Sequence, residues 1–275
     1  FEDGKLKTSD GNLLPYNTYD GSYEDNIDQN APGMDHPIIP QDGKWFIAGD
    51  RRANENPLLT SIHTLFVREH NRLCDEILEA HPNWFDDQIY HQARRIVIGA
   101  IESIVFYEWL PAMGVEMDPY TGYKPNVNPQ IMNVFAAAAY RYGHTTINSK
   151  LFRIDENCQD HENGHAFLKY AFFNPEMIRE VNGIEPYLTG MVNQQQQDLD
   201  CFIIDDLRNF LFGAPGSGGM DLAAINLMRG RDRGLPDYNT VREQFGFAKK
   251  QSFATLSEDV ILNQKLYQAE SNSGP

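Results

Sequence analysis

The sequence predicts a mainly α-helical fold with irregular loops and little β-structure. Two long stretches, from Pro57 to about Ala80 and from about Asp87 to Leu110, carry apolar residues at three- and four-residue spacing. This spacing is typical of helices that bury one face against a core. Few segments alternate apolar and polar residues in the way that half-buried strands do. We therefore expect one large helical domain without internal repeats.

Residues 1–44 form the least helical part of the sequence, because they are rich in Gly, Pro, Asn and Asp. This composition predicts an extended, turn-filled lead-in that packs on the domain formed by residues 45–275. Pro57 suits the first turn of a helix, and Pro111 suits the end of the next one, because proline lacks an amide hydrogen.

Both long helices are expected to turn their aliphatic and aromatic residues inward. In the first helix these residues are Leu58, Ile62, Leu65, Phe66, Leu73, Ile77 and Leu78. In the second helix they are Ile96, Ile98, Ile101, Ile104 and Val105.

The stretch Ile131–Ile147 predicts a third helix with an apolar face. That face would comprise Ile131, Val134, Phe135 and Ala138. Arg141 and His144 follow at a spacing of three, which places a guanidinium beside an imidazole. A neutral imidazole is a common ligand of metals and haem iron, but a single histidine near a helix end is more often a core or capping residue. The stretch alone leaves both interpretations open.

Shorter helical segments are expected in the second half of the chain. They lie near Pro175–Val181, Leu188–Asn193, Asp198–Phe212, Thr240–Phe245 and Leu256–Ala269. A further helix is expected to start at Asp221, a plausible N-cap, and to run to Gly234.

Composition and charge exclude several classes of function. The formal net charge is −16 and no basic cluster stands out, which disfavours nucleic-acid binding. No apolar run approaches the ~20 residues that a membrane-spanning helix needs. Three cysteines without CxxC spacing argue against a zinc site or a dense disulfide framework. The first residue is Phe1, from which we expect a processed or partial product.

Three polar groupings have both an ordinary and a functional interpretation. Arg52 and Glu55 precede a long helix, where a solvated charged turn is the simpler interpretation. His63 and His70 lie seven residues apart, which does not match the usual spacing of metal pairs, so we expect buried, hydrogen-bonding histidines. Asn226 and Arg229 lie three residues apart on a predicted helix, where an intramolecular ion-pair network is the ordinary alternative.

Taken together, these groupings resemble the animal-type haem peroxidases of the peroxidase–cyclooxygenase superfamily over nearly the whole chain. The similarity is strongest in four blocks that occur in the family's order: Ala48–Glu55, Arg68–Arg72, Tyr140–His144 and Asn226–Pro236. The resemblance implies a single, mainly α-helical haem peroxidase domain, of which residues 45–275 would form the proximal part.

The resemblance also implies haem b as the cofactor, with His144 as the proximal ligand of the iron. Asn226 would accept a hydrogen bond from the other ring nitrogen of His144, and Arg141 and Arg229 would hold the haem propionates. Arg52 would be the catalytic distal arginine, which stabilises the oxygen charge that develops during O–O cleavage.

Two further implications concern covalent attachment of the haem. Glu55 aligns with the glutamate that forms an ester to a haem methyl group in some relatives. Where those relatives continue with methionine and a sulfonium link, this chain has Asn56, so a second link of that kind is not expected.

The distal histidine and the calcium-binding loop of the family lie upstream of the blocks that this chain contains. We therefore expect another chain or a cleaved segment to supply the distal histidine and to bind calcium. The sequences around His36 and His161 have the wrong chain position for that role.

The implied reaction is reduction of hydrogen peroxide through an oxo-ferryl intermediate, with oxidation of a halide or a small organic donor, in an extracellular or secretory compartment. Two alternatives stay open: a haem-dependent fatty-acid dioxygenase, and a degenerate structural or adhesion module.

Overall fold

A 24-residue helix, α1 (Pro57–Ala80), begins and ends where the sequence predicts. Asn56 caps it, since its side-chain oxygen accepts a hydrogen bond from the amide of Leu59 at 3.1 Å, and Pro57 occupies the first turn.

The structure, a computed structural model, describes residues 2–36 and 43–256. The predicted helix at Leu256–Ala269 therefore lies almost wholly outside the described residues.

The remaining elements are mostly short. The α-helices after α1 are α2 (Asp86–Ser103), α3 (Leu110–Ala112), α4 (Asn133–Ala137), α5 (Leu168–Ala171), α6 (Glu176–Arg179), α7 (Glu185–Asn193), α8 (Asp205–Arg208), α9 (Leu222–Asp232) and α10 (Tyr238–Gln244). A π-helical turn, Ile104–Trp109, joins α2 to α3, and 3₁₀ turns occur at Asp10–Asn12, Ala139–Thr145 and Phe253–Thr255. Strands β1 (Lys150–Leu151) and β2 (Ala166–Phe167) pair antiparallel, with Lys150 opposite Phe167. The prediction of a mainly α-helical fold is confirmed.

The chain divides into two compact units. The first unit comprises Phe1–Gln130 and Tyr142–Ile225, and the second comprises Ile131–Arg141 and Asn226–Pro275. The first unit contains the main hydrophobic core. Its most deeply buried side chains include Leu14, Phe46, Ile178, Ile184 and Tyr187.

The lead-in is held on α1 by side chains that bind its backbone. Asn71 accepts a hydrogen bond from the amide of Leu6 at 2.7 Å and donates one to the carbonyl of Leu6 at 2.9 Å. His70, which is buried, hydrogen-bonds to the carbonyl of Gly4 at 3.0 Å. The prediction that His70 is a buried, hydrogen-bonding histidine is confirmed. The division of the chain at residue 44 stays a prediction.

The predicted apolar face of α1 is correct only in its second half. Leu73 and Ile77 are buried, whereas Ile62 and Leu65 are exposed. Three hydroxyl side chains are buried instead in the first half: Thr60, Ser61 and Thr64. Their hydroxyls donate to backbone carbonyls at 2.7–2.8 Å, so that burial leaves no donor unsatisfied.

The inward orientation predicted for the second half of α2 is wrong. α1 packs against the first half of α2 through a small cluster that includes Ile89 and Ala93. Beyond Ala93, four of the five predicted core residues are 37–42% exposed: Ile96, Ile98, Ile101 and Ile104. The spacing of these apolar residues correctly predicts a helix, but no described element covers them.

The predicted helix at Ile131–Ile147 is interrupted. Helix α4 ends at Ala137, because the next residue, Ala138, has the non-helical angles φ −135° and ψ −69°, and the chain continues as the 3₁₀ turn Ala139–Thr145. Ile131 and Phe135, predicted to be buried, are exposed. A five-residue helix is too short to present a continuous apolar stripe.

Among the later helices, α6, α8 and α9 are shorter than the sequence predicts, whereas α7 and α10 begin earlier than predicted and are longer. Only α8 forms within the predicted Asp198–Phe212 helix. Asp221 caps α9 as predicted, because its carboxylate accepts hydrogen bonds from the amides of Ala223 and Ala224 at 2.8 and 3.2 Å. Within the described residues, no helix has the length and apolar character to cross a bilayer.

Candidate functional site

Arg52 lies in the turn that precedes α1, where both its backbone and its side chain bind Asp50. The Asp50 carboxylate accepts hydrogen bonds from the Arg52 amide at 2.9 Å and from Nε and Nη2 of the guanidinium at 2.9 and 2.6 Å. These bonds hold the pKa of Asp50 far below its ordinary value. Sequence analysis missed Asp50 as a partner, although a carboxylate two residues before an arginine is a readable signal for such a turn.

Two buried side chains fix this turn to the rest of the first unit. The amide group of Asn54 accepts from the backbone N–H of Phe46 at 3.1 Å and donates to the carbonyl of Phe46 at 2.8 Å. The hydroxyl of Thr60 donates to the carbonyl of Ala53 at 2.7 Å. The guanidinium of Arg52 therefore projects from an anchored backbone, although its side chain is 64% exposed.

Glu55 and His63 belong to the same electrostatic neighbourhood. Burial raises the pKa of Glu55, against the charge of Arg52, and the carboxylates of Asp35 and Asp50 raise it further. Burial lowers the pKa of His63, and Arg52 lowers it further while Asp50 opposes both. The turn and the N-terminal part of α1 thus combine a fixed cation with a carboxyl group and an imidazole that burial biases toward their neutral forms.

His144, the predicted proximal ligand, is half-buried near the end of the 3₁₀ turn. Two threonine hydroxyls fix the backbone around it: Thr145 donates to the carbonyl of Tyr142 at 2.9 Å, and Thr146 donates to the carbonyl of Gly143 at 2.8 Å. The amide of Gln197 donates to the carbonyl of Thr146 at 3.0 Å, which ties the segment to a later part of the same unit. The imidazole therefore stands on a restrained backbone.

The second unit brings together Arg141, Asn226 and Arg229. Nη1 of Arg141 donates a hydrogen bond to Oδ1 of Asn226 at 2.6 Å. Burial lowers the pKa of Arg141, and the positive charge of Arg229 lowers it further. Nε of Arg141 is buried and has no hydrogen-bond partner among the described residues.

This arrangement fits an anionic group. A buried donor without a partner costs about 1–3 kcal/mol, and two neighbouring cations repel each other. A carboxylate bound between Arg141 and Arg229 would remove both penalties, and haem carries two such groups as its propionates. The residues present therefore fit the cofactor that the sequence predicts. The individual roles of Arg52, Glu55 and the other site residues stay predictions.

Comparison with known proteins gives a consistent result. The family model for the animal haem peroxidases matches residues 1–271. Peroxinectin A of Dictyostelium discoideum is 38% identical over 245 residues, covering 88% of this chain and 45% of that protein. Thyroid peroxidase of Sus scrofa is 41% identical over 221 residues, covering 77% of this chain and 24% of that protein.

Solved structures show the same fold. Peroxidase A from Dictyostelium discoideum matches with a TM-score of 0.84 and 35% identity, over 98% of this chain and 50% of that one. A fatty acid alpha-dioxygenase from Oryza sativa matches with a TM-score of 0.71 and 22% identity, over 98% of this chain and 47% of that one, which shows the fold alone. The chain thus spans about half the length of these proteins or less. It belongs to the animal haem peroxidase family.

Proposed function

We propose that this chain supplies the proximal half and the distal arginine of a haem peroxidase that reduces hydrogen peroxide and oxidises a halide or a small organic donor. The observation that carries the proposal is the pair of neighbouring cations, Arg141 and Arg229, in the second unit. The buried Nε of Arg141 has no hydrogen-bond acceptor among the described residues. Family membership supports haem as that acceptor. Bound haem would supply the iron at which peroxide is reduced.

The protein's own residues would divide the work of binding and proton transfer. His144 would present a neutral imidazole to the iron from its restrained backbone. Arg141 and Arg229 would bind the propionates, and Asn226 would orient the surrounding polar groups.

On the peroxide side, Arg52 would polarise the bound peroxide and stabilise the negative charge on the departing oxygen. Asp50 would fix the direction of that guanidinium through its two side-chain bonds. Glu55 lies in the same turn, and its raised pKa favours its neutral form. It would be the residue that forms an ester link to the haem.

The proposal includes parts outside this chain. A base that moves the peroxide proton would come from another chain or a cleaved segment, which would also bind calcium. We place the assembled protein in an extracellular or secretory compartment, in keeping with the family.

The test measures haem binding. Soret absorption reports the haem retained by the natively purified protein and by two arginine variants. Arg141→Gln is expected to weaken haem retention on the order of tenfold, since it removes one propionate partner. Arg231→Gln, a change of an exposed arginine on α9, is the matched control and should retain haem as the unmodified protein does. Equal retention by both variants would refute the assignment of Arg141, and oxygen uptake with linoleate in place of peroxide turnover would favour the dioxygenase alternative.

A further inference from the structure

Three aromatic rings form a continuous stack that runs from the surface of the first unit into its core. The ring centroids of Tyr23 and Tyr16 are 5.2 Å apart in an edge-to-face arrangement, and those of Tyr16 and Phe46 are 4.4 Å apart. Tyr23 is partly exposed, Tyr16 is 5% exposed and Phe46 is fully buried. The stack therefore connects a phenol that solvent reaches with a ring that it does not reach.

The inner end of the stack is fixed to the arginine-bearing turn. The backbone of Phe46 forms two hydrogen bonds with the side chain of Asn54, at 3.1 and 2.8 Å. Asn54 follows Arg52 by two residues and directly precedes Glu55. Arg52 and Glu55 are the residues of this turn that are proposed to meet the haem. The stack thus leads from the surface to the backbone that carries both of them.

The outer end of the stack has a proton acceptor. The phenol of Tyr23 donates a hydrogen bond to Oε1 of Glu176 on α6 at 2.9 Å. The other carboxylate oxygen of Glu176 accepts a hydrogen bond from Nη1 of Arg179 at 2.7 Å. The bond to Glu176 is the largest cause of a raised pKa at Tyr23, so the phenol keeps its proton at neutral pH. An electron can therefore leave this ring only if the proton moves to Glu176.

Two cations over the ring of Tyr23 reinforce this coupling. The guanidinium carbon of Arg179 lies 3.3 Å from the ring centroid, and Nζ of Lys44 lies 4.8 Å from it. Positive charges at these distances oppose a second positive charge on the ring, so oxidation must yield a neutral radical. Burial raises the pKa of Tyr16, and no described carboxylate accepts a hydrogen bond from its phenol. The outer ring is therefore the one that can be oxidised, and the inner rings only carry the electron.

We propose that Tyr23 is a second oxidation site, at which phenolic groups on polymers too large to enter a haem pocket are oxidised through the stack. One electron passes from Tyr23 through Tyr16 and Phe46 to the peroxide-oxidised cofactor, while the phenolic proton passes to Glu176. The neutral tyrosyl radical then takes a hydrogen atom from the phenol of the donor, which leaves as a phenoxyl radical, and Glu176 releases its proton to water. The inference rests on the proposed function, which supplies the oxidised cofactor.

The test compares the natively purified, haem-containing protein with Tyr23→Phe and with a matched control, Tyr19→Phe. Tyr19 is 64% exposed in the same lead-in but is not a member of the stack. After addition of peroxide, a nitroso spin trap locates tyrosyl radicals through electron paramagnetic resonance and mass spectrometry of tryptic peptides. The donors are tyramine and tyramine-conjugated dextran, which present the same phenol in a small and a bulky form. The Soret band of each sample reports whether peroxide oxidises the cofactor.

We expect spin-trap adducts at Tyr23 in the unmodified protein and in Tyr19→Phe. Tyr23→Phe should lower kcat/KM for the dextran conjugate at least ~10-fold and leave that for free tyramine within about twofold. Glu176→Gln keeps the size of the side chain but removes the base, so it should lower the yield of the adduct at Tyr23.

The inference would be overturned if no adduct forms at Tyr23 in a sample whose Soret band responds to peroxide. Oxidation of the dextran conjugate that Tyr23→Phe leaves unchanged, or equal losses with both donors, would overturn it as well. A haem-containing sample whose Soret band does not respond to peroxide would refute the proposed function, and the inference with it.

Discussion

Asn54 offers the sharpest test of how the arginine-bearing turn is held. The residues on either side of Phe46 bond to the lead-in: the Ile47 amide donates to the carbonyl of Pro15 at 2.7 Å, and the Trp45 carbonyl accepts from the amide of Asn17 at 2.9 Å. The backbone N–H and C=O of Phe46 itself bond to the Asn54 side chain. Asn54 is 2% exposed and Phe46 is fully buried, so water does not replace these bonds.

Asn54→Ala therefore removes two buried hydrogen bonds and leaves two backbone groups without those partners. Each loss costs ~1–3 kcal/mol, so the free energy of unfolding should fall by ~2–6 kcal/mol. That is a large part of the ~5–15 kcal/mol typical of a whole protein. In a chain of this size the expected fall in Tm is roughly 5–15 °C.

Thermal and urea unfolding, followed by circular dichroism, measure this difference. Asn128→Ala is the matched control, because Asn128 is exposed and its side chain accepts a local hydrogen bond from the amide of Gln130 at 3.0 Å. A Tm of Asn54→Ala within about 2 °C of that of the control would be a smaller shift than the loss of even one buried hydrogen bond predicts. That result would show that the turn is held by something other than the bonds to Phe46.

Three further changes have expected outcomes in the same unfolding assays. Gly190→Ala should lower the free energy of unfolding by ~1–3 kcal/mol or more, because the new Cβ would overlap the backbone carbonyl of Phe152. Burial alone would raise the pKa of Glu185, but its hydrogen bond with Arg68 brings the pKa below 4.5. Its contribution is therefore present above that pH and lost as the pH falls, so Glu185→Gln should abolish part of the acid sensitivity. Burial lowers the pKa of His63 below 6.5, so folding stability should fall as the pH drops below that value, and His63→Leu should reduce that fall.

Each of these variants has a control of the same kind. Gly99→Ala adds a Cβ that meets no atom within 4 Å apart from its chain neighbours and its own helix backbone, so it should be neutral or slightly stabilising. Glu156→Gln and His91→Leu change exposed residues and should leave the pH dependence unaltered. A Gly190→Ala protein as stable as Gly99→Ala would contradict the packing described, as would pH profiles that match those of the controls.

The sequence predicts helix starts well because they depend on local chemistry. Pro57 and Asn56 mark the start of α1, and Asp221 marks the start of α9, through a proline ring or a side-chain acceptor that acts within one turn. The break at Ala138 was not predictable in this way, since the surrounding alanines favour a continuous helix. Tertiary contacts decide such positions.

Burial was harder to predict than helicity. The spacing of Ile96 and Ile98 indicates a helix but not whether another element covers it, which depends on chain that packs from elsewhere. Conversely, Thr60 and Thr64 are buried although their side chains are polar, because each hydroxyl can donate to a carbonyl of its own chain segment.

The candidate site was predictable as a set of motifs but not as a geometry. Arg52 and Arg141 were identified from their sequence blocks. The carboxylate that holds Arg52 and the unsatisfied Nε of Arg141 became visible only in three dimensions. These two features turn a family resemblance into specific predictions about charge and hydrogen bonding.

We propose above all that His144 would ligate the iron of a bound haem. The most direct measurement is the absorption and electron paramagnetic resonance spectrum of the haem-loaded protein, compared between His144→Ala and the exposed-histidine control His91→Ala. The account predicts a Soret band and histidine-ligated ferric signals in the control, and their loss in His144→Ala with recovery on addition of imidazole. Unchanged spectra in His144→Ala would contradict it.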